Sequence, residues 1–260
     1  MIQKLPRLIN LSLPKTGSTT IGHVFAPAGG VHEGLHDLTV GFILDYLDGL
    51  ISHKQLLTLL TRRQRKIRAT VDSSTFLHLI ASELCDFLPE TTLYLQVIRN
   101  PTAWIESYLN MLIEVGERLM LSSSAADLVW TSRYGRHHSA KLEPLTLYHK
   151  YHDKDFVIPI VTDLLLFWQR SVSVVQQAIP DSQLLYCSLE KLGASLPAIA
   201  ELIDIPYGRL NHDALASNVG SRKPGVRDVI SSHISCAIHS SPIVYANSIE
   251  LYGQLAEKSI

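Results

Sequence analysis

Residues 8–20 read Leu8-Ile9-Asn10-Leu11-Ser12-Leu13-Pro14-Lys15-Thr16-Gly17-Ser18-Thr19-Thr20, and the fold follows from how this string changes character. An apolar strand runs to Leu13, a tight turn follows, and a helix-like segment opens at Ser18. At such a junction the exposed backbone N–H groups and the positive end of the helix make an anion site. Gly17 lets the backbone approach a ligand closely. Ser18, Thr19 and Thr20 add hydroxyls, and Lys15 adds a point charge. A nucleoside-triphosphatase loop places its Lys directly after the last Gly of G-x-x-x-x-G-K-[ST]. Here Lys15 precedes Gly17 by two, so the string keeps the physics of a phosphate loop but not that order.

Working outward, short apolar runs read as strands at Arg7–Leu13, Ile67–Asp72, Leu93–Arg99 and Gln183–Ser188. Each is followed by a helix-like stretch: Ser18–Phe25, Thr39–Arg65 (divided near Gly49 or Ser52), Ser74–Phe87, Pro101–Leu121 and Leu196–Ile203, with Val161–Ala178 and Tyr245–Lys258 as further helices. That alternation predicts an α/β fold with a central parallel sheet of four to five strands flanked by helices. Residues 122–159 are the least regular part, rich in Ser, His, Tyr and charge, and read as a helix-and-loop insertion serving as a lid.

A second motif stands at the end of the third expected strand, where Val97-Ile98-Arg99-Asn100-Pro101 leads to Trp104, Ser107 and Tyr108. Asn100 suits an N-cap and Pro101 the first helical position. Ser107 lies two turns on, facing the side of the helix start, and Arg99 brings a planar fork suited to phosphate.

The order P-K-T-G-S-T-T resembles the 5′-phosphosulfate loop of sulfotransferases that use 3′-phosphoadenosine 5′-phosphosulfate (PAPS), and V-I-R-N-P-x-x-W-x-x-S-Y resembles their 3′-phosphate motif. Leu185–Leu192 is similar to a fourth-strand region of that family, and Asn218–Gly225 to its late Gly/Ser/basic loop. The resemblance implies one sulfotransferase domain over residues 1–260, of P-loop-like fold, with 122–159 as the acceptor lid. It implies cofactor contacts from Pro14, Lys15, Thr16, Gly17, Ser18, Thr19, Thr20, Arg99, Ser107, Arg222 and Lys223. It further implies PAPS as sulfuryl donor, PAP as product, no required metal, and a small-molecule acceptor such as a secondary metabolite. Lys15, Glu33 and His32 are its implied catalytic residues. Glu33 would be the base, with His32 and His36 as alternatives and Asp72 as a group that either orients the acceptor or caps the next helix.

His32-Glu33-Gly34-Leu35-His36 also satisfies H-E-x-x-H, the pattern of a zinc-dependent hydrolase. That geometry needs a helix through both histidines, and Gly29, Gly30 and Gly34 disfavour one. A catalytically silent nucleotide-binding protein on the same fold is the third reading.

Composition narrows the classes. The 260 residues carry 23 Lys and Arg against 24 Asp and Glu, a formal charge of −1 that argues against a broad nucleic-acid-binding surface. The most apolar stretch, Phe156–Trp168, is interrupted by Pro159 and Asp163 and falls short of the roughly 20 residues that span a bilayer. No signal peptide is evident at the N-terminus, and the three cysteines form no C-x-x-C. The expectation is a soluble cytoplasmic enzyme with no membrane or nucleic-acid partner, its oligomeric state open with a homodimer as one option.

Overall fold

The computed structural model describes residues 5–121, 143–215 and 224–260. The chain divides into two compact units. The first comprises Met1–Arg99, Ser171–Val219 and Gln254–Ile260, and the second Asn100–Arg170 and Gly220–Gly253.

The first unit is built on five strands: β1 (Leu8–Asn10), β2 (Gly30–His32), β3 (Val71–Ser73), β4 (Leu93–Ile98) and β5 (Leu184–Ser188). They form one sheet in the order β2-β3-β1-β4-β5, every neighbouring pair parallel. Leu8, Ile9 and Asn10 are all buried, as expected of a central strand covered on both faces. One face packs Leu8, Val71, Leu95, Val97 and Cys187 against Ile21 and Val24 of α1 (Ser18–Val24) and Leu196 and Ile199 of α8 (Leu192–Leu202). Near the other face lie α2 (His36–Leu47), α3 (His53–Ile67) and α4 (Ala81–Phe87), with the Tyr94 hydroxyl donating to the Leu84 carbonyl at 3.1 Å. An α/β fold with a parallel central sheet flanked by helices is therefore what the chain forms.

All four expected strands form, at shorter lengths. The strand not foreseen is β2, three residues at the sheet edge. The long Thr39–Arg65 segment is two helices. The second is opened by a capping box in which Ser52 Oγ accepts from Gln55 N and Gln55 Oε1 accepts from Ser52 N.

In the second unit α5 (Pro101–Leu121) packs against α6 (Pro144–Lys150) at Gly116, where an added Cβ would lie 2.2 Å from the Pro144 carbonyl oxygen. Arg227 of α9 (Pro224–Ser240) pairs with Glu106 of α5 at 2.6 Å. Helix α7 (Lys154–Ala178) starts seven residues before the expected position and continues through Pro159, its first turn capped by Asp153 Oδ1 accepting from Asp155 N at 3.0 Å. Among the described residues it is the one helix long and apolar enough to cross a membrane by length and composition. Ile160, Val161, Leu164 and Trp168 turn part of that surface inward. Helix α10 (Pro242–Glu257) closes the chain. Of the expected lid, residues 122–142 lie outside the described residues, and 143–159 hold α6 and the start of α7.

Candidate functional site

In the order β2-β3-β1-β4-β5 the connection leaving β1 runs to one side of the sheet and that leaving β4 to the other. Ligands of open α/β sheets sit at this switch, outside the carboxyl ends of the strands. The residues following β1 are the Pro14–Thr20 loop, and Arg99 follows β4.

A relay of buried hydrogen bonds fixes the loop. Val97 N donates to Ser12 Oγ at 2.7 Å, Ser12 Oγ donates to Asn10 Oδ1, Asn10 Nδ2 donates to Ser73 Oγ at 2.8 Å, and Ser73 Oγ donates to the Ser18 carbonyl at 2.6 Å. Asn10, Ser12 and Ser73 are at most 1% exposed, so this chain ties β4, β1, β3 and α1 together out of water's reach. Lys15 takes a left-handed φ of 66°, and its carbonyl accepts from Arg99 Nη1 at 3.1 Å. Gly17, at φ 94°, is the N-cap of α1 and has no side chain to accept from the helix amides. A Cβ there would approach Leu189 to 2.9 Å, so close packing and backbone conformation both call for glycine.

The loop hydroxyls differ in what they do. Thr16 is buried and donates to the Leu13 carbonyl, so it offers a ligand its backbone alone. Ser18 and Thr20 are nearly buried, and the Thr19 hydroxyl meets His32 Nε2 at 3.1 Å. His32 Nδ1 lies 3.0 Å from the Ser73 carbonyl, which only accepts. Nδ1 therefore carries the proton and Nε2 accepts from Thr19. Burial pushes the His32 pKa down, over the opposing Glu33 charge and the Ser73 carbonyl, which keeps this neutral tautomer. His32 thus positions the loop. The contact exists because α1 and β2 touch at Gly22, where a Cβ would sit 2.5 Å from that of His32.

Glu33 and His36 form a separate pair. Glu33 Oε2 lies 2.8 Å from His36 Nδ1, while Glu33 Oε1 accepts from the Thr75 amide at 3.1 Å and the Thr75 hydroxyl at 2.7 Å. Burial alone would raise the Glu33 carboxyl. The His36 and Thr75 hydrogen bonds together outweigh it and hold the carboxyl below its ordinary value. The bond to Glu33 raises His36 against the effect of burial. Glu33 and Leu35 both sit at left-handed φ, 50° and 54°. Such a conformation costs a non-glycine residue about 1–2 kcal/mol. Lys15, Glu33 and Leu35 are all in loops at the carboxyl edge of the sheet. The remaining non-glycine examples are Arg68, which caps α3, and Asp204, just past α8.

Asp72 corrects its expected role. It neither orients an acceptor nor caps a helix. It is fully buried and paired in a bidentate manner with Arg63, with Gln64 Nε2 at 3.2 Å and Ser74 Oγ at 3.0 Å donating to it as well. Ser107 lies half-buried on the second turn of α5, whose first turn is capped as expected by Asn100 Oδ1 accepting from Thr102 N at 3.0 Å. Arg222 and Lys223 lie outside the described residues.

His32 ends a strand and His36 begins a helix, so the H-E-x-x-H string is not one helical face. Among the described residues no three His, Cys, Asp or Glu side chains cluster as metal ligands. Sequence reasoning missed the Asn10–Ser12–Ser73 relay, Thr75 and Arg63. Polar residues inside otherwise apolar strands were the available signal for the relay. Comparison with family models, curated proteins and solved structures finds no match for this chain.

Proposed function

We propose that the protein is a sulfotransferase that moves the sulfuryl group of PAPS to a hydroxyl or amine of a small-molecule acceptor. The observation that carries this reading is the Lys15–Thr20 loop, pinned by Arg99 through the Lys15 carbonyl at the β1/β4 switch of a parallel sheet. Its donors suit a phosphosulfate: loop amides, an ammonium, a guanidinium, and a glycine at the point of closest approach. PAPS supplies an activated sulfuryl group on a phosphate leaving group. Lys15 and the amides of the loop stabilise the charge that grows on that leaving oxygen as the S–O bond breaks.

The acceptor proton goes to the Glu33–His36 pair. Glu33, held ionised by Thr75 and His36, fixes the imidazole with Nδ1 protonated, which makes Nε2 the proton-accepting atom. The hydrogen bond to Glu33 raises the His36 pKa, which makes the imidazole a stronger proton acceptor. Thus O–H or N–H is lost from the acceptor, O–S or N–S forms, and the products are the sulfated acceptor, PAP and a proton on His36.

The test is a pair of measurements. PAP should raise the melting temperature, by an amount matching roughly 2.7 kcal/mol at a hundredfold excess over its Kd. Labelled sulfate should pass from PAPS to acceptors in a mixed hydroxyl and amine panel, and Glu33→Gln should abolish that transfer while leaving PAP stabilisation intact. PAP stabilisation without transfer to any acceptor would leave a silent nucleotide-binding protein, and no stabilisation by PAP would end the reading.

A further inference from the structure

The strained Glu33–Leu35 turn is held from two sides by one buried side chain. On one side Arg63 Nε donates to Thr39 Oγ1 at 2.8 Å, and the Thr39 hydroxyl lies 3.1 Å from the Gly34 carbonyl and 2.9 Å from that of Leu35. On the other, Arg63 Nη2 donates to Asp72 Oδ1 at 3.0 Å and to Ser74 Oγ at 2.7 Å. The next residue, Thr75, supplies both hydrogen bonds to Glu33 Oε1. Arg63 and Asp72 are both fully buried. The last backbone bond between the two segments is Glu33 N to the Ser73 carbonyl at 3.3 Å, at the end of the β2–β3 ladder. Beyond it a guanidinium, with five donors in a rigid fork, braces the Gly34–Leu35 backbone against Asp72 and Ser74.

We infer that Arg63 is a positioning residue for the Glu33–His36 pair: through Thr39 and through Asp72–Ser74 it fixes the two segments that meet at Glu33, and so sets the orientation of the His36 ring. The inference rests on the proposed role of that pair, though its geometry is independent of the reaction. An ion pair that served stability alone would need only Asp72. The Thr39 arm instead ends on a hydroxyl that reaches the Gly34 and Leu35 carbonyls, and the Ser74 arm ends on the residue before Thr75. Lysine cannot replace this arrangement, because an ammonium keeps the charge facing Asp72 but lacks the fork that reaches Thr39 and Ser74 together.

The test reads the His36 ring directly, by NMR titration of its imidazole. The groups acting on it are Glu33, Asp37 and His32, with the Phe76 ring packed at 5.5 Å. Thr39→Val removes one arm and should lower the His36 pKa toward its ordinary value as Glu33 loosens. Thr39→Ser restores the hydroxyl and should restore the titration. Arg63→Lys should shift it at least as far as Thr39→Val. Leu56→Ala, a cavity in the same helix α3, controls for general loosening and should leave His36 unchanged. The proposal is overturned if Thr39→Val titrates like the parent, or if Leu56→Ala moves His36 as much. Should Arg63→Lys fail to fold, the Thr39 pair decides alone. Absence of PAP binding or sulfate transfer would remove the sulfotransferase reading and leave the positioning role standing. A normal sulfotransferase with an unmoved His36 would do the reverse.

Discussion

The loops that leave β1 and β2 reach the same edge of one sheet, and each carries left-handed residues, yet they are held by different means. The first is fixed by glycine at position 17 and by short bonds among residues of its own loop and the strands beside it. The second is fixed by Arg63 and Asp72, an ion pair brought in from α3 and β3 and sealed from water. The first loop is stabilised from beneath, by hydrogen bonds from Ser73, Val97 and Arg99 as well as by its own glycine. The second loop holds the Glu33–His36 side-chain pair, and the groups braced against it include a buried charge brought in from α3. The difference predicts that the second loop fails when its buried ion pair loses one member, whereas the first, held by several separate hydrogen bonds, loses less with any one of them.

The largest effect should come from the distant partner. Arg63→Met strands the buried Asp72 carboxylate and should cost about 3–5 kcal/mol in denaturant unfolding. A loss below about 1 kcal/mol would mean that the two loops are not held differently after all.

Lys15→Ala should leave unfolding nearly unchanged and slow sulfate transfer by roughly 10²–10³-fold, the cost of one donor at a developing oxyanion. Equal rates for parent and variant would take the first loop out of the chemistry.

Acid should weaken the wall behind the second loop. Burial pushes His78 down to about 4 from 6.5. The unfolded chain therefore takes up a proton near 6.5 that the folded chain refuses until about 4, and stability falls as pH drops through that window. The loss should approach roughly 3 kcal/mol, read as a lower urea midpoint at acid pH and flattened in His78→Gln. His36 acts in the opposite sense. Its folded pKa is raised, so its contribution is full below 6.5 and fades as pH climbs through the folded value. An unfolding profile flat between pH 6.5 and 4 would count against His78 as the sensitive group.

The smallest effect tests the seam between the two loops. Gly22→Ala places a methyl 2.5 Å from His32 Cβ and should cost about 1–3 kcal/mol by overpacking, while loosening the hydroxyl of Thr19. An unshifted His32 ring signal in a stable Gly22→Ala chain would show that the seam has slack.

Much of the framework was legible. Four apolar runs became four strands, because a strand covered on both faces must be apolar along its length. The β2 strand was not, since Gly30-Val31-His32 is too short for a pattern and pairs only with β3. The helices at Pro144 and Pro224 went unread although a Pro opens each one, the position where its missing N–H costs least, and the closing helix expected at Tyr245–Lys258 starts three residues earlier, at Pro242. Pro159 misled in the other direction, since it reads as a break and lies inside α7.

The sequence by itself determined the strand–glycine–helix junction and the parallel α/β sheet beneath it, because a strand, a glycine turn and a helix start are neighbours along the chain. Only the tertiary structure decided what His32, Glu33, His36 and Asp72 do. Each has the chemistry of a base on paper. The folded chain assigns His32 to Thr19, sets Glu33 between Thr75 and His36, and gives Asp72 to Arg63. The role of an ionisable group depends on its burial and its partners, and both are settled by residues many positions away.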